Sequence, residues 1–306
     1  MKDRSTVDQI WFVSLGLLMI LGCYQERNES IRMMNAGVKY SLEGRDESAI
    51  SKFEQAAKVD PTNHRAYFNL GVVHQKKKRL AQAASAFEKA VAVKPERGEY
   101  LYQYAMSLQE LGQCEKAIPV LTKSSEVQPA HAETWLRLGE CQLRLEKFDA
   151  AQDTLIRAIN SKPLLAKSYL NLGRLYSDFR QFKHAIQTYK TGIDVLTAAR
   201  DGGYKARGLD DVILALHQDL GTVYGRIKKV DKAIEVLSQA RKLRKDEPST
   251  LFNLGMMLKD VEGQEPEAQK VLKRFISLSG SGQTPWRRRA AEEAYDKLKA
   301  RAKKAP

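Results

Sequence analysis

His64–Arg97 reads HRAYFNLGVVHQKKKRLAQAASAFEKAVAVKPER. Its first half carries Tyr67, Leu70, Gly71 and His74, and its second Ala83, Phe87, Ala90 and then Pro95. The small residues Gly71, Ala83 and Ala90 stand where two helices must cross closely, and the large ones fill the space between them. The basic run Lys76-Lys77-Lys78-Arg79 marks the turn between the two helices. One such helix pair buries only one face, so the pattern has to recur along the chain to make a core.

It recurs. Ser30–Asn63 has Gly37, Tyr40, Ala49, Phe53, Ala56 and Pro61, and the looser Gly98–His131 has Tyr104, Ala105, Leu108, Ala117, Leu121, Ser124 and Pro129. Ala132–Leu165 has Trp135, Leu138, Gly139, Ala151, Leu155, Ala158 and Pro163, and the stretch from Ala166 has Tyr169, Leu172, Gly173, Tyr176, Ala185, Tyr189 and Gly192. A sixth copy centres on Leu220-Gly221, Tyr224, Ala233, Leu237 and Ala240. A seventh centres on Leu254-Gly255, Leu258, Ala268 and Leu272, with one extra residue in its turn. Prolines 61, 95, 129 and 163 recur at one spacing, just past each second helix, where proline ends a helix at little cost.

This pattern resembles the tetratricopeptide repeat, a helix–turn–helix of about 34 residues. The resemblance spans about 30 to 280 and implies an all-α fold: a right-handed superhelical solenoid of about seven pairs. The register breaks once, after Leu196, where TAARDGGYKARGLDD lacks the regular proline and is punctuated by Gly202, Gly203 and Gly208. The expectation there is a second helix that runs on, a loop, and a longer first helix for the sixth copy; the loop reads either as a tolerated insertion or as a dedicated contact element. Thr284-Pro285 then opens a basic capping helix from Trp286, with Trp286, Ala290, Ala294, Leu298 and Ala302 as its apolar stripe, inside a terminal segment 281–306.

At the other end, Ile10–Leu21 is an apolar run of about a dozen residues, too short for the roughly 20 of a spanning helix. It closes on Ile20-Leu21-Gly22-Cys23, which resembles a bacterial lipobox. The resemblance implies that residues 1–22 are a signal peptide, that Cys23 carries lipid, and that 23–29 is a short linker. Ordinary cleavage, a short uncleaved anchor and a core segment are the other readings, and the lipoprotein reading is favoured over them. Tyr24 in place of an aspartate then points to the outer membrane, facing the periplasm.

Among 306 residues the formal net charge is +14, which suits nucleic acid, a solvated face or anionic lipid equally. Nucleic acid wants aromatics interleaved with the charge, and the basic turns hold few, which argues against it. Three cysteines without a CxxC and five histidines without helical pairing offer no metal site. Cys114 and Cys141 open one helix and sit late in the next, so they are expected as neighbours, either as a disulfide or as buried thiols. No GxSxG, P-loop, HExxH or dinucleotide motif occurs, so neither an enzyme, a cofactor nor a small-molecule substrate is expected.

In tetratricopeptide proteins the first helix of each pair lines a concave groove that takes a partner peptide. Carried onto this sequence, the contact positions are Met34 and Val38, Phe68 and Val72, Tyr102 and Met106, Leu136, and Leu170, with Phe252 and Met256 in the last copy. The family's chaperone-tail clamp wants Lys and Asn where Met34 and Val38 stand, so that ligand is not expected. The implied function is a membrane-tethered scaffold that docks a protein partner in the cell envelope. The repeat-built pilotin-type lipoproteins are the architectural resemblance. The alternative is a cytoplasm-facing adaptor or regulatory subunit on an uncleaved anchor.

Overall fold

The computed structural model describes residues 24–279 and 285–302, and all regular structure among them is helical. Helix α1 occupies 24–42. It is followed by α2 Asp46–Val59, α3 His64–Lys76, α4 Leu80–Val93, α5 Gly98–Glu110, α6 Cys114–Val127 and α7 Ala132–Arg144. Then come α8 Phe148–Ser161, α9 Ala166–Asp178, α10 Phe182–Asp201, α11 Leu209–Arg226, α12 Val230–Leu243, α13 Pro248–Leu258, α14 Glu265–Leu278 and α15 Pro285–Ala302. The signal segment and Cys23 lie outside the described residues. The first described residues are a correction: 24–29 belong to α1 and are not a linker. The polar run Gln25–Glu29 is compatible with an exposed first turn of helix, and Ser30 anchors it by donating to the Ala56 carbonyl at 2.7 Å.

The close crossings fall where the small residues stand. A Cβ built on Gly37 would meet the Phe53 ring at 2.7 Å, one on Gly71 the Phe87 ring at 2.6 Å, and one on Gly173 the Tyr189 ring at 2.2 Å. Gly221 meets Leu237 and Gly255 meets Leu272 in the same way, both at 2.6 Å. Each pair joins the first helix of a repeat to its second, so one missing side chain lets one large ring or leucine fill the crossing. Ala105 stands at the glycine's place in the looser copy, opposite Leu121, and both are fully buried.

Turns within the pairs need a left-handed residue. Gly44, Gly112 and Gly263 supply it freely, with φ of 75–77°. Lys78, Glu146, Arg180 and Lys228 hold the same conformation with a side chain, at φ of 57–59°.

The chain divides into two compact units, Met1–Lys147 and Phe148–Pro306. In the first, α1 to α7 enclose one cluster around Phe53, Ala56 and Met34 and another around Leu121, Leu108 and Cys141. In the second, the register break has the expected form: α10 runs for 20 residues against 14 for α8, and α11 for 18 against 13 for α9. Its continuation buries Leu196, Leu209, Ile213 and Leu216, so the added turns extend the core. Helix α15 closes the last cluster with Ala291, Ala294 and Leu298. Its stripe differs slightly from expectation: Ala291 is fully buried, whereas Trp286 is 61% exposed. No described helix is long and apolar enough to cross a membrane.

Candidate partner-binding face

In the first compact unit the first helices of successive repeats lie side by side. Asn63 caps α3, accepting from the Ala66 amide at 3.1 Å, and its amide nitrogen donates to Ser30 of α1 at 2.8 Å. Phe68 of α3 stacks on Tyr100 of α5 with ring centroids 4.6 Å apart. Gln109 of α5 donates to Glu140 of α7 at 3.0 Å, and Arg137 shares that carboxylate.

The expected contact residues fall into two groups on this face. Val38 and Val72 are 37% and 40% exposed, and Ile31, one turn before Met34, is 40% exposed. Tyr102 and Met106 are half-buried. Met34 and Leu136 are buried, at 8% and 5%. Phe68 is half-buried between two rings, Tyr100 and Phe87, and so serves helix packing as much as any partner. Tyr102 meets the edge of His131 at 4.8 Å. Ile31 was not among the expected residues, although it stands one helical turn from Met34 on the same face.

The second unit fills several of the corresponding positions with contacts of its own. Leu170 is half-buried and packs on the cluster around Tyr189 and Leu220. Arg174 pairs with Asp219 at 2.6 Å; burial raises the Asp219 carboxyl above its ordinary 3.8, and Arg174 opposes that shift. Gln218 donates to Glu247 at 2.6 Å and to Thr250 at 2.8 Å. Phe252 is covered by Trp286, with ring centroids 5.8 Å apart, and by the Arg287 guanidinium at 5.5 Å.

Cys114 and Cys141 are both free and buried, packed in one cluster with Leu121 and Leu138. Burial first, and hydrogen bonding to Cys114 next, push the Cys141 thiol well above its ordinary 9.0. Among the described residues no group of histidine, cysteine or acidic side chains is placed to hold a metal.

Models of the tetratricopeptide repeat match residues 37–78 and 166–195. The chain carries tetratricopeptide repeats. A third model, described as anaphase-promoting complex, cyclosome, subunit 3, matches 76–158. No curated protein matches the chain by sequence. Among solved structures the repeats are similar to those of YrrB, described as a TPR protein with an unusual peptide-binding site, at 24% identity and a TM-score of 0.51. That match covers 54% of this chain and 86% of YrrB. A MamA protein is 18% identical with a TM-score of 0.55, over 58% of this chain and 97% of its own. PilF of Pseudomonas aeruginosa is 19% identical with a TM-score of 0.53, over 75% of this chain and 96% of its own. At these identities the likeness is one of fold.

Proposed function

We propose that the chain is a non-catalytic, membrane-tethered repeat scaffold that docks a protein partner on the first-helix face of its first compact unit. One observation carries the docking half: Ile31, Val38 and Val72 stand on that face as exposed apolar side chains, while the positions equivalent to Val38 and Val72 in the second unit hold the ion-paired Arg174, the polar Thr222 and the half-buried Met256. Exposed apolar side chains in a row, flanked by the adaptable Met106, suit a partner helix or strand. YrrB, a relative in fold, is described as having a peptide-binding site.

The tethering half rests on the lipobox-like Ile20–Cys23 alone. It places the scaffold in the cell envelope, lipid-anchored at Cys23, with the outer membrane as the favoured location. Fatty-acid labelling of the expressed chain tests it: Cys23 labels, and Cys23→Ala does not. An unlabelled wild type returns the cytoplasm-facing adaptor. Docking is tested by co-purification from detergent extracts. Val38→Asp with Val72→Asp is expected to lose a partner that wild type retains, with helicity and melting unchanged because both residues are exposed. Retention at wild-type level moves the partner off this face.

A further inference from the structure

A cavity of about 800 Å³ opens in the first compact unit between α1, the loop joining α2 to α3, and the end of α4. Arg27, Arg65 and Lys94 line it, brought together from three separate segments, and none forms an ion pair among the described residues. The single acidic residue in the wall, Asp60, has Oδ1 taken up by the Thr62 amide at 2.9 Å and the Thr62 hydroxyl at 2.6 Å. Ile31 and Met34 supply an apolar wall.

A group in the wall lies within the field of two of these cations, Arg65 and Lys94. His64 directs Nδ1 to the Tyr100 hydroxyl at 2.8 Å. Its pKa lies below the ordinary 6.5, through burial first, then through the positive charge of Arg97, which is not part of the wall, and then through Arg65 and Lys94. Three cations without ion-pair partners around one cavity make it electropositive and favour a bound anion.

We infer that this cavity binds an aliphatic carboxylate: the carboxylate is held by Arg27, Arg65 and Lys94, and the short aliphatic chain lies against Ile31 and Met34. Guanidinium groups match a carboxylate's planar geometry, and the adjoining apolar wall discriminates against a small hydrophilic anion. Two sources present this chemistry, the C-terminus of a polypeptide ending in an aliphatic residue and a free fatty acid. The first deepens the docking proposal and rests on it, because Ile31 also belongs to the exposed row that continues to Val38 and Val72.

The test uses the full chain and four probes: the tetrapeptide acetyl-Ala-Ala-Leu-Val as free acid, the same peptide as C-terminal amide, octanoate, and inorganic phosphate. Binding is read by calorimetry and by the His64 ring resonances, whose pKa rises when an anion offsets the neighbouring cations. The free acid or octanoate is expected to bind, and the amide not. Binding by the free acid identifies a polypeptide terminus, and binding by octanoate alone identifies a fatty acid. Arg27→Gln with Arg65→Gln, both exposed, should weaken binding at least tenfold without altering the melt. The inference is overturned if neither carboxylate binds, if phosphate binds as well as both, or if amide and acid bind alike. Val38→Asp with Val72→Asp separates the two proposals, since it removes partner docking and leaves octanoate binding intact.

Discussion

At the scale of single residues the fold depends on atoms that are missing. Gly173 faces Tyr189 so closely that a methyl group has no room. Gly173→Ala gains helix propensity of about 0.5–1 kcal/mol and meets a packing cost of about 1–3 kcal/mol. The expected result is a net loss of stability, read as a lower urea midpoint at unchanged slope; a gain would place the crossing elsewhere. The opposite case holds at Lys228, with φ of 59° in a turn where Gly44 and Gly112 appear elsewhere. Lys228→Gly removes a left-handed penalty of about 1–2 kcal/mol against glycine's entropy, so a modest rise in melting temperature is expected. Both sites were legible as small-residue or turn positions; the 2.2 Å approach was not, since ring placement depends on the partner helix.

Among elements, α3 and α11 carry the histidines that make stability depend on pH. His64, His74 and His217 all have pKa values below 6.5, with burial as the first cause in each. The surrounding charges differ: Arg79 lowers His74 further while Glu54 and Glu47 raise it, and Arg200 lowers His217 while Asp194 raises it. The unfolded chain therefore takes up protons before the folded one does. This contribution is complete above about pH 6.5 and is lost as pH falls below it. Urea midpoints should drop between pH 7 and 5, and His217→Gln should flatten part of the slope. Helix α15 is the second element with a clear expectation. It reads as a basic tail, yet Ala291, Ala294 and Leu298 complete the cluster of Leu272 and Phe275. Ending the chain after Gln283 should lower the melting temperature of the second unit and expose those side chains to a hydrophobic dye, beyond any effect on salt-dependent association.

For the molecule as a whole, the two compact units present different chemistry on the first-helix face of the same repeat. The first presents the exposed apolar Ile31, Val38 and Val72 together with unpaired cations; the second presents Arg174 paired with Asp219 and the polar Thr222, with Phe252 covered by Trp286. Partner binding should therefore respond to substitutions at Val38, Val72 or Arg65 and be insensitive to exposed ones on the first-helix face of the second unit, such as Thr222→Asp, in parallel capture assays. The thiol pair gives a matching expectation for the first unit. With Cys114 and Cys141 both buried, a thiol reagent should modify them only at the rate at which that unit opens.

The 34-residue spacing, the turns and the lengthened α10 and α11 were all readable from the order of residues. Each follows from local chemistry: glycine and alanine where helices cross, proline past a helix end, glycine in a left-handed turn. Even the neighbourhood of Cys114 and Cys141 follows from that periodicity. Which contact positions remain free was decided only in three dimensions. Val38 and Val72 stay exposed while Met34 and Leu136 are covered, because neighbouring side chains determine exposure at these helical positions. The gathering of Arg27, Arg65 and Lys94 around one cavity was equally invisible in sequence. Those residues lie in three separate segments, and only the tertiary structure brings α1, the start of α3 and the end of α4 around one cavity.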